Sequence, residues 1–174
     1  MTSMTVVYVK ETGHAIGALV TVPVAVPALP PQLVLDVAIT SGGPALAFPA
    51  AQLLTAVVDA EFDDPLAVFG WRVTSLTGPD GTSRPVLSRL VSDVTVAEVG
   101  SKIEITVPRM GSAGVVEQPR YEVRARSGLI TDGVVRIPAD KPSGKATATG
   151  TFPAETLIVL VAGYLPQAVQ GPNP

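Results

Sequence analysis

The chain has 174 residues, enough for one ordinary domain or two small ones, and enough to bury a core without covalent staples. It contains no cysteine, which excludes disulfides and thiolate metal sites. Charged residues are 16% of the chain, against roughly 25% in an average soluble domain, apolar residues are 47%, and the net charge is −3.

The opening MTSMTVVYVK has no basic segment leading into an apolar core, so no signal peptide is expected, and the expected address is cytoplasmic at synthesis and then within a particle. Thr5–Lys10 (TVVYVK) is β-branched and aromatic, ETGH supplies a turn, and Ala15–Val26 returns as a second extended run. His14–Leu35 carries no acidic or basic side chain other than His14, as long an interval as a membrane span requires. Pro23, Pro27, Pro30 and Pro31 would break the backbone hydrogen bonding of such a span, and Gly42, Gly43, Pro44 and Pro49 do the same for Ala38–Val58. Leu33–Ile39 reads as a strand. Residues 49–58 fit either a short helix with Pro49 in its first turn or a strand. Leu66–Leu76 is strand-like and turns at GPDG.

VTVAEV-GS-KIEITV has the form of a two-residue hairpin. In that register Val99 faces Lys102, Val96 faces Ile105 and Val94 faces Val107. Val94, Val96, Ile103, Ile105 and Val107 then share an apolar face, with Lys102, Glu104 and Thr106 on the other. Tyr121, Val123 and Ala125 alternate with Glu122, Arg124 and Arg126, which predicts a strand with a wet, charged face turning at Ser127-Gly128. A turn at Asp132-Gly133, a strand over Val134–Ile137, and a final pair formed by Lys145–Thr151 and Leu157–Ala162 complete the series. The closing QGPNP has no folding tendency of its own.

These short strands predict an all-β chain with at most one short helix, mainly antiparallel, built as a β-sandwich or barrel-like fold. The chain is expected either as an N-terminal β lobe (1–80) and a C-terminal β lobe (81–174), with the boundary between them open, or as one domain. FPAAQLLTAVV from Phe48 and FPAETLIVLVA from Phe152 agree at five of eleven positions, and TGHAIGALVTVP from Thr12 aligns loosely with SGLITDGVVRIP from Ser127, which suggests an internal repeat.

Chemistry-bearing residues are sparse. His14 is the single histidine, and a lone turn histidine reads as solvent-facing rather than as a general base. Asp59, Glu61, Asp63 and Asp64 lack the spacing of a calcium loop. PSGK at Pro142–Lys145 has Ala139 where a phosphate loop needs glycine and Ala146 where it needs Ser or Thr. No catalytic, cofactor-binding or metal residues are expected. Residues 1–100 hold four basic and nine acidic side chains, and 101–145 hold eight basic and five acidic. A +3 segment that mixes both signs does not predict nucleic-acid binding. Arg120, Arg124, Arg126 and Arg136 suit the acidic surface of a protein partner, or the wet face of a strand.

GTFPAETLIVLVAGYLP at Gly150–Pro166, ending its strand in AGY-x-P, resembles the end of transthyretin-like or carboxypeptidase-regulatory Ig-like modules, which implies an Ig-like C-terminal lobe. The opening VYVKETGHAIGAL is similar to the starts of small bacterial proteins accompanying phage-tail-like contractile injection systems. The expectation is a non-catalytic structural or adaptor subunit of a larger bacterial or phage-like assembly, its partners other protein subunits in a homo- or hetero-oligomer. Val20, Val22, Val24, Val26 and Leu33 are the candidate interface. The alternative is a binding or adhesion module for carbohydrate, stacking sugars on Trp71 and Tyr164.

Overall fold

The structure, a computed structural model, describes residues 3–21, 48–59, 70–91 and 94–172. Among them the regular elements are antiparallel β-strands and one turn of 3-10 helix, so the chain is all-β. Two compact units are present, one of Met1–Ala45 and Pro49–Leu90, the other of Leu46–Phe48 and Val91–Pro174. The two units divide at Leu90/Val91, and residue 80 lies inside a hairpin turn of the first unit.

In the first unit, β1 (Ser3–Val9), β2 (Ala15–Thr21) and β3 (Leu53–Asp59) form a sheet ordered β2-β1-β3. The central strand β1 is buried on both faces, Met4 and Val6 on one and Val7 and Val9 on the other, which is why its sequence is a continuous β-branched run. β4 (Trp71–Thr77) and β5 (Ser83–Arg89) make a hairpin whose Val73 and Leu87 pack on the Met4–Val6–Val58 cluster. The ETGH turn ties this hairpin to the sheet. Gly13, at φ +76°, accepts a hydrogen bond from the Val73 amide (2.9 Å), and a β-carbon there would lie 2.9 Å from the Val73 carbonyl oxygen.

Residues 49–58 resolve into both of their expected forms. Ala50–Gln52 is the 3-10 turn, closed by the Gln52 amide on the Pro49 carbonyl, and β3 begins at Leu53. The GPDG turn joins β4 to β5 as expected. The Asp80 carboxylate accepts hydrogen bonds from the Thr82 hydroxyl (2.7 Å) and amide (3.1 Å), which hold its pKa below the ordinary carboxylate range. The Leu33–Ile39 strand, and residues 22–26 and 66–69 of their predicted runs, lie outside the described residues.

The second unit is a sandwich. One sheet is ordered β10-β7-β6, from β6 (Thr95–Val99), β7 (Lys102–Pro108) and β10 (Ser143–Ala148). The other is ordered β12-β11-β8-β9, from β8 (Arg120–Ala125), β9 (Gly128–Val134), β11 (Thr156–Val161) and β12 (Gln167–Gln170). Ile103, Ile105 and Val107 of β7 meet Tyr121 and Val123 of β8 and Leu157, Val159 and Val161 of β11 in one core. The β6–β7 hairpin has the expected register, with Val99 opposite Lys102 and Val96 opposite Ile105. Gly100 adopts φ +60° at its turn.

Three local expectations are corrected. Asp132-Gly133 is not a turn, because β9 runs through it with Gly133 opposite Tyr121; a β-carbon at Gly133 would fall 2.8–2.9 Å from the tyrosine ring, so glycine is there to admit the ring. The Lys145–Thr151 and Leu157–Ala162 segments do not pair. β10 pairs with β7 and β11 with β8 and β12, because the connection through Phe152 and Pro153 carries the chain from one sheet to the other. The QGP segment is also docked: the Gly171 amide donates to the Glu155 carbonyl (2.9 Å), and Gly171 and Pro172 are buried.

The segments from Phe48 and Phe152 occupy equivalent places, whereas those from Thr12 and Ser127 do so only after a shift of one residue, Gly17 matching Thr131 and not Asp132. Val7 pairs with Thr55 and with Gly17, and Val123 pairs with Val159 and with Thr131. Tyr8 pairs with Leu54 and with Ala15, and Arg124 with Ile158 and with Leu129, so each hairpin skips one residue at the same step, Ile16 in one and Ile130 in the other. The β2-β1-β3 ladder of the first unit therefore has the register of β9-β8-β11 in the second. Phe48 stands five residues before the first residue of β3, and Phe152 four before that of β11.

Candidate interaction surface

The residues singled out from sequence are scattered. Val20 lies in β2 opposite Met4, while Val22, Val24, Val26 and Leu33 lie outside the described residues, as do Glu61, Asp63 and Asp64. Trp71 opens β4 in the first unit and is half-buried. Tyr164 belongs to the second unit, is 1% exposed, and donates its hydroxyl to the Pro108 carbonyl, so it is a core residue and offers no stacking face.

His14 corrects a further expectation. It is 1% exposed rather than solvent-facing, because its residue bridges to Arg72 and its carbonyl accepts from the Val9 amide (2.9 Å), which draws the turn against β4. His14→Ala is therefore expected to lower the stability of the first unit by about 1–3 kcal/mol, the ordinary cost of emptying a buried site. A thermal melt unchanged from the parent chain would contradict that burial.

The charged face of β8 is wet only at its first residue, Arg120. Arg124 is 0% exposed and Glu122 2%, and their side chains meet through two contacts of 2.7 Å, guanidinium Nε and one terminal nitrogen to Glu122 Oε2. The ring of Phe48 stacks 4.3 Å from the guanidinium carbon. Arg120, Arg126 and Arg136 remain exposed.

The feature that sequence reasoning missed is the connection between β7 and β8. Arg109, whose side chain is only 8% exposed, reaches back across this loop. Its guanidinium donates to the carbonyls of Lys141 (3.0 Å), Ser112 (3.2 Å), Val115 and Pro138, and to the Glu117 carboxylate (3.5 Å). The Glu117 carboxylate in turn accepts from the Met110 amide (3.2 Å) and the Gly111 amide (2.8 Å). Backbone bonds stitch the loop to 137–142, from Gly114 to Ala139 (3.0 Å) and in both directions between Glu117 and Ile137 (3.1 and 2.9 Å). The loop that is pinned so thoroughly presents apolar side chains to solvent: Met110 at 45%, Val115 at 61% and Val116 at 43% exposed. One arginine and one glutamate bracketing a Gly/Ser segment that ends in Val-Val was the signal available in the sequence.

Among the described residues no three His, Cys, Asp or Glu side chains gather as metal ligands, and no helix is long and apolar enough to cross a membrane, which leaves strands unaddressed. Comparison of the chain with protein-family models, with curated proteins and with solved structures found no match.

Proposed function

We infer that the chain is a non-catalytic structural or adaptor subunit of a larger assembly, and that it meets a neighbouring protein subunit through the 109–117 loop. The carrying observation is an apolar tip held rigid. A surface loop ordinarily keeps its apolar side chains covered or is free to move; this one fixes its carbonyls on a buried arginine while leaving Met110, Val115 and Val116 outside. Ordering the loop in advance removes an entropy cost from association, which is what a contact element needs. The matching surface is an apolar pocket whose polar rim is mixed in charge, because exposed Lys141 pairs with exposed Asp140 (3.6 Å) beside the segment to which the loop is stitched. The resemblance of the opening segment to proteins of contractile, phage-tail-like systems supports a particle of that kind. The Ig-like resemblance of the C-terminal stretch fits a sandwich of two small sheets. Burial of Tyr164 removes one of the two aromatic residues on which the alternative carbohydrate platform relied.

The test is a Val115→Asp/Val116→Asp double variant. Both residues are exposed, so the melting temperature should stay within a few degrees of the parent chain. Co-assembly should fall by two orders of magnitude or more, since a charge placed in a closed apolar contact costs on the order of 3 kcal/mol. A photo-crosslinking side chain at position 115 should give one discrete product in the native setting. Absence of any such product, together with monomeric sedimentation at every concentration, would overturn the assembly function.

A further inference from the structure

We propose that Arg109 is the positioning residue of the assembly contact, a guanidinium keystone on which the order of the 110–116 tip depends while the sandwich beneath does not. This role rests on the loop being the contact element. Every residue of 110–116 is exposed, and none of them belongs to the core cluster of the second unit. Burial therefore cannot fix the shape of the tip, and hydrogen bonds must. One of them is backbone, from the Gly114 amide to the Ala139 carbonyl. The others come from the two side chains at its ends: Glu117 accepts from the Met110 and Gly111 amides, and Arg109 donates to the Ser112 and Val115 carbonyls. Arg109 also reaches the facing segment, at the Lys141 and Pro138 carbonyls, so one guanidinium joins both walls.

The three nitrogens of that group face three ways. Nε donates to Lys141 (3.0 Å), one terminal nitrogen to Ser112 (3.2 Å), Val115 and the Glu117 carboxylate (3.5 Å), and the other terminal nitrogen to Pro138. A planar fork of N–H groups can hold acceptors spread in this way. A lysine ammonium carries its N–H groups on a single atom and cannot bridge them. The root of the side chain is fixed separately. The Arg109 amide donates to the Pro142 carbonyl (2.8 Å), one residue beyond the Pro108–Ser143 pair of the β7–β10 ladder. Loss of the guanidinium therefore leaves the stem of the loop in place and frees its tip. The released carbonyls turn to water, and the entropy of ordering the tip is charged to association instead.

Amide exchange measured by NMR on the full chain tests this, with β7 as the internal reference. In Arg109→Ala and in Arg109→Lys the Met110, Gly111 and Gly114 amides should exchange about ten-fold faster or more, with β7 unchanged. Guanidinium chloride at about 50 mM, far below the molar range that unfolds domains, should restore protection in Arg109→Ala, where the side chain has left room for it. It should not do so in Arg109→Lys, and sodium chloride at the same strength should restore neither. The proposal is overturned by protection retained in Arg109→Lys, by no rescue with guanidinium, or by β7 exchange rising as much as the tip, since the arginine would then support the sandwich. With a photo-crosslinking side chain at position 115, Arg109→Lys should lower the yield of the discrete product about ten-fold in the native setting. An unchanged yield would overturn the positioning role and leave the contact reading intact. No product from the parent chain would overturn the contact reading and this role with it, while the exchange result would stand as a property of the loop.

Discussion

Arg124→Ala should destabilise the second unit by about 3–5 kcal/mol, because it strands the Glu122 carboxylate in a site with almost no access to water. The penalty comes from the charge left behind more than from the bond removed. Replacing both residues, Glu122→Leu with Arg124→Met, should therefore cost much less than the single change, since neither charge of the pair is left behind without its counter-charge. Urea unfolding of the two single variants and the double variant measures the coupling. A double variant as unstable as Arg124→Ala would mean that the arginine matters for its packing under Phe48 and not for its charge. Phe48→Leu separates these cases, because it removes the stacked ring and keeps the ion pair.

The other large effect is expected at Gly144. This buried residue of β10 lies against residue 136, and an added β-carbon would overlap the Arg136 carbonyl and crowd the Ile137 side chain. The obstacle is backbone, not a flexible side-chain end, so rotamer changes cannot relieve it. Gly144→Val should cost about 3 kcal/mol or more and leave the second unit largely unfolded near body temperature. Gly100→Ala serves as the comparison: its φ is +60° but nothing lies near its β-carbon, so only the modest strain of a left-handed residue applies. Circular dichroism melts of the two variants should differ by many degrees, and equal melts would show that the β10 approach relaxes freely.

The all-β class and the β6–β7 register were legible because strand alternation and a Gly-Ser turn are local properties, written within fourteen consecutive residues. What was not legible depended on distant chain. Alternation placed Glu122 and Arg124 on one face of β8 correctly, but nothing near them in sequence says that this face is covered; the covering ring, Phe48, comes from more than seventy residues away. Asp132-Gly133 has turn composition, and only the Tyr121 ring opposite Gly133 shows why glycine is required within a strand. His14 has the local signature of an exposed turn residue and is buried by β4, again a distant element. The 109–117 loop escaped for a related reason. Arginine in a loop looks solvated until its five acceptors are seen converging from 112 to 141.

The common register of β2-β1-β3 and β9-β8-β11 makes each ladder a natural control for the other. One backbone framework, down to the skipped residue in its hairpin, carries Met4, Val6 and Tyr8 on a given face in one copy and Arg120, Glu122 and Arg124 on the corresponding face in the other. Main-chain geometry has stayed constant while the character of that face has changed from oily to ionic. Side chains there can be exchanged between copies as a graft, position for position, and the difference in stability then reports the cost of covering an ion pair instead of an apolar stripe on the same scaffold.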